Sequence, residues 1–166
     1  MKNIILSLLL IVIFSTAVKA QDFTSKIDSL TTELNQLKHN HIYLKNIYQL
    51  NKVLLELSVL DNTLKTTINT LLIYSDDNQC DSELYTVLKE NYDMNVTLLE
   101  SQKDYFSSIK GTIPVCILEY DFNALEIKEI DSTCSMIDQK FNQVNMTLRS
   151  YSAALRAYKQ LPLKLD

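Results

Sequence analysis

The chain has 166 residues with 16 basic and 20 acidic side chains, a net charge of −4, and it contains one glycine and two prolines. No basic tract is present, which argues against nucleic acids and anionic lipid surfaces as partners. Sheet proteins need many turns, and turns depend on glycine and proline. The composition therefore predicts an all-α protein built from a few long helices.

The amino terminus has the pattern of a secretory signal peptide. An apolar run over residues 4–14 is followed by the small residues Val18 and Ala20, which favour cleavage before Gln21. The run is shorter than the roughly 20 apolar residues that span a bilayer. We expect residues 1–20 to be removed, with an uncleaved anchor as the alternative.

The mature chain is then expected to be one domain of 146 residues, 21–166, located in the periplasm or outside the cell. Because two lysines leave with the signal peptide, it carries 14 basic and 20 acidic residues, a net charge of −6. No later stretch is apolar enough to span a membrane.

A first helix is predicted over residues 24–74. Its first half carries apolar residues at alternating spacings of four and three, the heptad pattern of helices that pack side by side. Ser25 with Asp28 resembles a capping box at the start of this helix. The polar Asn51 interrupts the spacing. The sequence leaves open whether the helix stays straight or bends near that residue. Six apolar residues form a candidate interaction stripe: Phe23, Ile27, Leu30, Leu34, Leu37 and Leu44.

A second helix is predicted over residues 82–110. The polar segment 75–82 precedes it and is rich in residues that prefer turns. We expect Gly111 to end the helix in the left-handed conformation, with Pro114 just beyond it. The segment 115–121 fits either a short helix or an extended connector.

A third helix is predicted over residues 123–160. Asn123 can cap it, Glu126 can complete a capping box, and Phe122 can pack on Ile127. Three amphipathic helices joined by short connections predict an elongated antiparallel three-helix bundle with coiled-coil-like heptad packing.

Both histidines lie in the first helix, at positions 39 and 41. Helical residues two apart point about 200° away from each other, so His39 and His41 cannot chelate one metal ion together. We interpret His41 as a polar residue within the heptad pattern and predict no metal site.

The mature chain has three cysteines. Cys116 and Cys134 are a possible disulfide if the segment 115–121 folds back along the third helix. Equally, Cys134 fits the heptad pattern as a small buried apolar residue. Cys80 is then left over, either free or linking two chains.

Catalytic signatures are missing from the sequence. The acidic turn with Asp76, Asp77 and Asp81 lacks the glycine of a calcium loop. A single glycine also excludes nucleophile elbows and phosphate-cradling loops. We therefore predict no catalytic residue, no cofactor and no enzymatic activity.

Two functions remain open. The first is an exported scaffold, adaptor or inhibitor that binds another protein, or a copy of itself, through a helix face. The alternative is a carrier of a small apolar ligand in a pocket between helices. Tyrosines at heptad positions could line such a pocket: Tyr48, Tyr85, Tyr92, Tyr151 and Tyr158.

Overall fold

The computed structural model describes the backbone of residues 2–163 and the side chains of residues 23–163. Over this part of the chain no β-strand is formed, and the only sheet-like feature is an isolated bridge between Cys80 and Leu163. The all-α prediction is therefore confirmed. The three helices are α1 (Lys2–Ser75), α2 (Ser82–Tyr120) and α3 (Ala124–Lys159).

The chain divides into two compact units, Met1–Ile42 and Tyr43–Asp166. Residues 2–42 of the first unit belong to α1. The second contains the rest of α1 together with α2 and α3. The single domain expected for residues 21–166 stays a prediction.

Helices α1 and α3 of the second unit run in the same direction. Tyr43 donates a hydrogen bond to Glu129, and Thr147 donates one to Asp61. The two residues of each pair are 86 positions apart in sequence. The contact that lies farther along α1 therefore also lies farther along α3, as in parallel helices.

Helix α2 runs against α3. The Tyr151 hydroxyl donates to the carbonyl oxygen of Leu88 at 2.8 Å, whereas Lys110, farther along α2, reaches back to Asp138 at 3.2 Å. The contact with the higher residue number in α2 therefore has the lower residue number in α3. The second unit is thus a bundle in which the middle helix is antiparallel to the other two.

The core of the second unit takes one face from each helix. Among the described side chains of α1, the buried apolar residues begin at Leu50, two positions beyond the exposed Tyr48. The face of α1 that packs in the bundle is therefore different from the face that carries the candidate stripe. Its fully or almost fully buried members are Leu50, Val53, Leu57, Leu60, Leu64 and Leu71.

Two helix starts have caps formed by side chains. Asp81 accepts a hydrogen bond from the backbone N–H of Leu84 at the start of α2. The predicted capping box of α3 is confirmed, because Asn123 accepts from the N–H of Glu126 while Glu126 accepts from the N–H of Asn123. Phe122 is buried, and its ring lies edge-on to the ring of Tyr43 at 5.8 Å between centroids.

The predicted start of α1 near Ser25 is wrong, since the helix is already formed from Lys2. Ser25 and Asp28 lie inside it. A capping motif stabilises a helix end only where the preceding residues leave the helix, and the residues before Ser25 are helical.

The predicted end of the second helix at residue 110 is also wrong. Helix α2 continues through Gly111 and Pro114 to Tyr120. Proline inside a helix costs about 3 kcal/mol, but an end at residue 110 would unpack Ile113, which is buried and lines the same groove as Ile130 of α3. A fully buried isoleucine side chain contributes about 1.5–3 kcal/mol. Burial of Ile113, with partial burial of Ile117 one turn farther along, therefore offsets the cost of the proline.

The left-handed turn positions are filled without glycine. Asn78 has φ 54°, and Asp121 has φ 51° and ψ 54°. Asp121 closes α2, and its backbone N–H donates to the carbonyl oxygen of Ile117. Asn and Asp tolerate this conformation better than other residues with a side chain, so Gly111 is not needed for the turn and has a helical backbone.

Candidate functional site

Five large apolar side chains of the first unit are open to solvent. They share one face of α1, because their spacings of four and three residues match the helical repeat. Between 47% and 67% of each residue is exposed. We call this set the amino-terminal stripe: Phe23, Ile27, Leu30, Leu34 and Leu37.

Leu44, the sixth residue of the candidate stripe, belongs to the second unit and is 61% exposed there. Tyr48, one turn farther, is exposed as well. Helix α1 continues through Asn51 without a break, and Leu44 and Tyr48 remain exposed. Packing of the candidate stripe inside the chain, the alternative to an outward contact, is therefore not what the structure shows.

The charged and polar residues beside the amino-terminal stripe are exposed. Glu33 accepts a long hydrogen bond from Ser29 at 3.5 Å. Lys38 lies one turn farther along the helix and is also exposed. The stripe thus has an acidic residue on one side and a basic residue on the other, as the interhelical faces of coiled coils do.

The two histidines point away from each other on α1. His41 is exposed and His39 is half-buried, on opposite sides of α1. Over the side chains that the structure describes, no three His, Cys, Asp or Glu residues come close enough together to hold a metal ion.

A buried carboxylate joins α1 to α3. Asp61 has no exposed surface and accepts hydrogen bonds from Lys65 at 2.8 Å and Lys140 at 3.0 Å. Gln143 and Thr147 of α3 add two more, at 2.9 and 2.7 Å. Four donors therefore surround one carboxylate, which satisfies the acceptor capacity of an ionised aspartate.

Burial by itself would raise the pKa of Asp61, but hydrogen bonds from Lys65, Thr147 and Lys140 outweigh it and lower the pKa to about 2. Asp61 is thus ionised in the folded protein at neutral pH. A general base has a pKa near the working pH, so this cluster is suited to fixing α3 against α1 rather than to proton transfer. Sequence reasoning missed Asp61, because its spacing of four from Lys65 indicates that one pair only and not the contacts with α3.

A surface groove of about 620 Å³ lies between α1 and α2. The exposed Leu55 and Val59 line one side, and Leu98 lines the other. Gln102 lies at the groove and donates a hydrogen bond to Glu56, but its carbonyl oxygen is buried without a protein partner. The groove was not predicted, because the sequence pattern does not define which side chains face each other across two helices.

A second surface groove, of about 670 Å³, lies between α2 and α3. Its wall includes Pro114 and Ile117 of α2 together with Cys134 of α3. Lys110 lies at the edge and pairs with Asp138 across the two helices. The groove is mainly apolar with charges at its margin, which makes it the relevant site for the carrier hypothesis.

The three cysteines are free thiols in the structure. Burial raises the pKa of both the Cys80 and the Cys134 thiol. The fold-back proposed for the segment around Cys116 does not occur, since these residues continue α2. The disulfide between Cys116 and Cys134 stays a prediction.

The five tyrosines at heptad positions do not share one pocket. Tyr151 and Tyr158 are core residues, and Tyr48 is exposed. Burial raises the pKa of Tyr151 to about 12, and its hydroxyl is bonded to Leu88. The Tyr158 hydroxyl accepts a hydrogen bond from the N–H of Asp81 and so ties the end of α3 to the start of α2.

Comparison with protein-family models, curated proteins and solved structures finds no match. Where the structure describes the chain, no helix is long and apolar enough to cross a membrane.

Proposed function

We propose that the protein is an exported helical interaction module, a scaffold, adaptor or inhibitor, that binds another polypeptide through the amino-terminal stripe. The observation that carries this proposal is the exposure of five large apolar side chains on one helix face. Single exposed apolar residues are ordinary on protein surfaces, but a contiguous apolar patch is typical of an interaction site.

The size of the patch supports the same proposal. The exposed fractions of the five residues together equal about three fully exposed side chains. At roughly 100–200 Å² for each large apolar side chain, this amounts to roughly 300–600 Å². A standard interface buries about 800 Å² on each partner, of which a little more than half is apolar. The stripe therefore supplies about the apolar area that one such interface needs.

The heptad spacing defines the shape of the contact. An α-helix with apolar residues at spacings of four and three buries them best against another helix, in coiled-coil packing. We therefore propose a helical partner for the stripe. We propose the same packing between the three helices of the second unit, where the buried residues of α1 recur at spacings of three, four and seven.

Export is part of the proposal and rests on the amino-terminal sequence pattern, with cleavage before Gln21. Mass spectrometry of the amino terminus of the exported protein tests it. An amino terminus at Met1 in the exported protein would contradict cleavage.

The interaction proposal is tested by Leu34→Glu. Leu34 is half exposed, so a glutamate there costs the isolated chain little, while in a contact it would bury an unpaired charge. We expect the variant to lose association, measured as sedimentation mass and co-purifying protein, and to keep the wild-type melting temperature within about 2 °C. The matched control is Leu125→Glu, because Leu125 is 79% exposed and lies outside the stripe.

Two results would contradict the proposal. One is an unchanged association in Leu34→Glu. The other is a wild-type monomer that Leu34→Glu unfolds, which would mean that the stripe is packed inside the chain.

A carrier of a small apolar ligand is the second candidate, and the α2–α3 groove favours it. Its volume and its apolar wall at Ile113, Pro114 and Ile117 fall within the range of ligand sites. Saturable one-to-one binding of a fluorescent fatty acid, unaffected by Leu34→Glu, would favour the carrier over the interaction module.

A further inference from the structure

We propose that the partner of the amino-terminal stripe is a second copy of this chain, bound as a parallel, in-register two-stranded coiled coil over residues 23–41. This inference rests on the proposed function and adds the identity of the partner and its orientation. It is carried by three observations: the types of residue in the stripe, the charges beside it and the apolar area that it exposes.

The heptad positions favour two strands. Taking Ile27 and Leu34 as positions a, the stripe places Phe23, Leu30 and Leu37 at positions d. Leucine at d together with a β-branched residue at a is typical of parallel dimers, and Ile27, Leu30 and Leu37 fit this rule, while Phe23 and Leu34 do not. A trimer or tetramer is favoured by isoleucine at d, and no d position of the stripe has one.

The charges beside the stripe favour the parallel orientation. In this heptad Glu33 is at position g and Lys38 is at position e, five residues farther along. In a parallel in-register dimer, g of one helix faces the following e of the other. Glu33 then faces Lys38 of the second copy, and symmetry repeats the pair on the other side of the seam.

An antiparallel dimer of the same segment lacks this pairing. When the stripes overlap fully in antiparallel orientation, g faces g and e faces e. Glu33 then faces Glu33 of the second copy, and Lys38 faces the uncharged Thr24. Since both Glu33 and Lys38 are exposed beside the stripe, the charges stabilise one orientation and oppose the other.

His41 has a place in this arrangement. It continues the a positions after Leu34 and is exposed in the single chain. In the parallel dimer it meets His41 of the second copy across the seam. A polar residue at one a position is a common means of fixing register, because a shifted register would bury it against apolar side chains.

The apolar area approaches that of a stable homodimer. Two identical stripes bring together about twice the 300–600 Å² of apolar surface exposed by one chain, and the total with flanking residues approaches the 1,200–2,000 Å² of stable interfaces. The contact is isologous, with the same surface on both copies, so it closes at two chains.

A charge-exchange series tests the proposal. Glu33→Lys and Lys38→Glu each replace two attractive pairs of the parallel dimer by two repulsive ones, and the double variant restores the attraction with the charges exchanged. The dissociation constant is measured by sedimentation equilibrium at low salt. The sample is the full chain expressed with its own amino-terminal segment in its native host and purified in the form that the host produces. We expect each single variant to weaken the dimer about tenfold and the double variant to return within about twofold of wild type.

The controls separate the charge effect from folding. Both positions are exposed helical sites, so the melting temperature of the second unit should not change in any of the variants. Raising the salt concentration should reduce the difference between single and double variants, since ion pairs at the surface are screened.

Three outcomes overturn the inference. A wild-type chain that is monomeric at about 100 µM excludes a second copy as the partner. The proposed function would still hold in that case if another protein co-purifies with the wild type and is lost in Leu34→Glu. A dimer in which the single charge variants bind as wild type is not parallel. A dimer that neither Leu34→Glu nor the charge variants weaken does not use the stripe, and that result overturns the proposed function too.

Discussion

Asp61 shows how one residue can hold two helices in position. Its carboxylate is buried between α1 and α3 and accepts hydrogen bonds from Lys140 and Thr147 of α3. A buried charge is costly unless hydrogen bonds compensate it fully. Here they do, so α3 can occupy only the register in which its donors reach Asp61.

We predict that Asp61→Asn lowers the free energy of unfolding by about 2 kcal/mol at pH 7. The folded pKa of about 2 lies below the usual aspartate pKa of 3.8, and each pKa unit corresponds to about 1.4 kcal/mol. Because the folded pKa is the lower one, this stability is present above pH 4 and is lost as the pH falls towards 2. Denaturant unfolding of both proteins at pH 7, 4 and 2 should show a difference that shrinks to nearly zero at the lowest pH.

The matched control is Asp93→Asn. Asp93 pairs with Lys89 at the same 2.8 Å distance as Asp61 with Lys65, but both partners are exposed. An exposed pair contributes little, so this variant should change stability by less than about 0.5 kcal/mol at every pH. Equal losses in the two variants would mean that burial of Asp61 is not what gives its ion pairs their strength.

Single residues were harder to predict than their helices. Asn123 and Glu126 were assigned correctly, since a capping box is local and needs only a spacing of three. Asp61 was missed because its role depends on Lys140 and Thr147, which lie about 80 residues away along the chain. No local pattern contains that information.

At the level of elements, α2 shows how tertiary packing overrides local signals. Glycine followed by proline predicts a helix end, yet α2 passes through Gly111 and Pro114 because Ile113 packs beyond them. The actual end, at Asp121, uses a left-handed aspartate. Periodicity was sufficient to find three helices, while the position of this end depended on contacts with α3.

We predict that Gly111→Ala raises the free energy of unfolding by about 0.5–1 kcal/mol. Gly111 has a helical backbone, and a Cβ atom there would meet no atom within 4 Å. Alanine is favoured over glycine at such positions because it restricts the unfolded chain. Thermal unfolding should show the increase, whereas a lower melting temperature would mean that Gly111 ends the helix in solution.

For the molecule as a whole, α1 has two different apolar faces. One face, starting at Leu50, is buried in the bundle, and the other carries the exposed amino-terminal stripe. The sequence alone could not assign these roles, since both faces follow the same heptad rule. The exposure of Leu44 and Tyr48 distinguishes them.

Hydrogen exchange over residues 23–41 is the most direct test of the central claim that the amino-terminal stripe is a contact surface. A helix without buried side chains opens easily, so its amides exchange quickly unless a partner covers it. The wild type, purified without denaturation, is compared with Leu34→Glu. Glutamate forms helices about as well as leucine does, so the substitution itself should not unfold the segment. The account predicts that exchange in this segment is at least tenfold slower in the wild type, with equal rates in α2 and α3. Equally fast exchange of the segment in both proteins would contradict it.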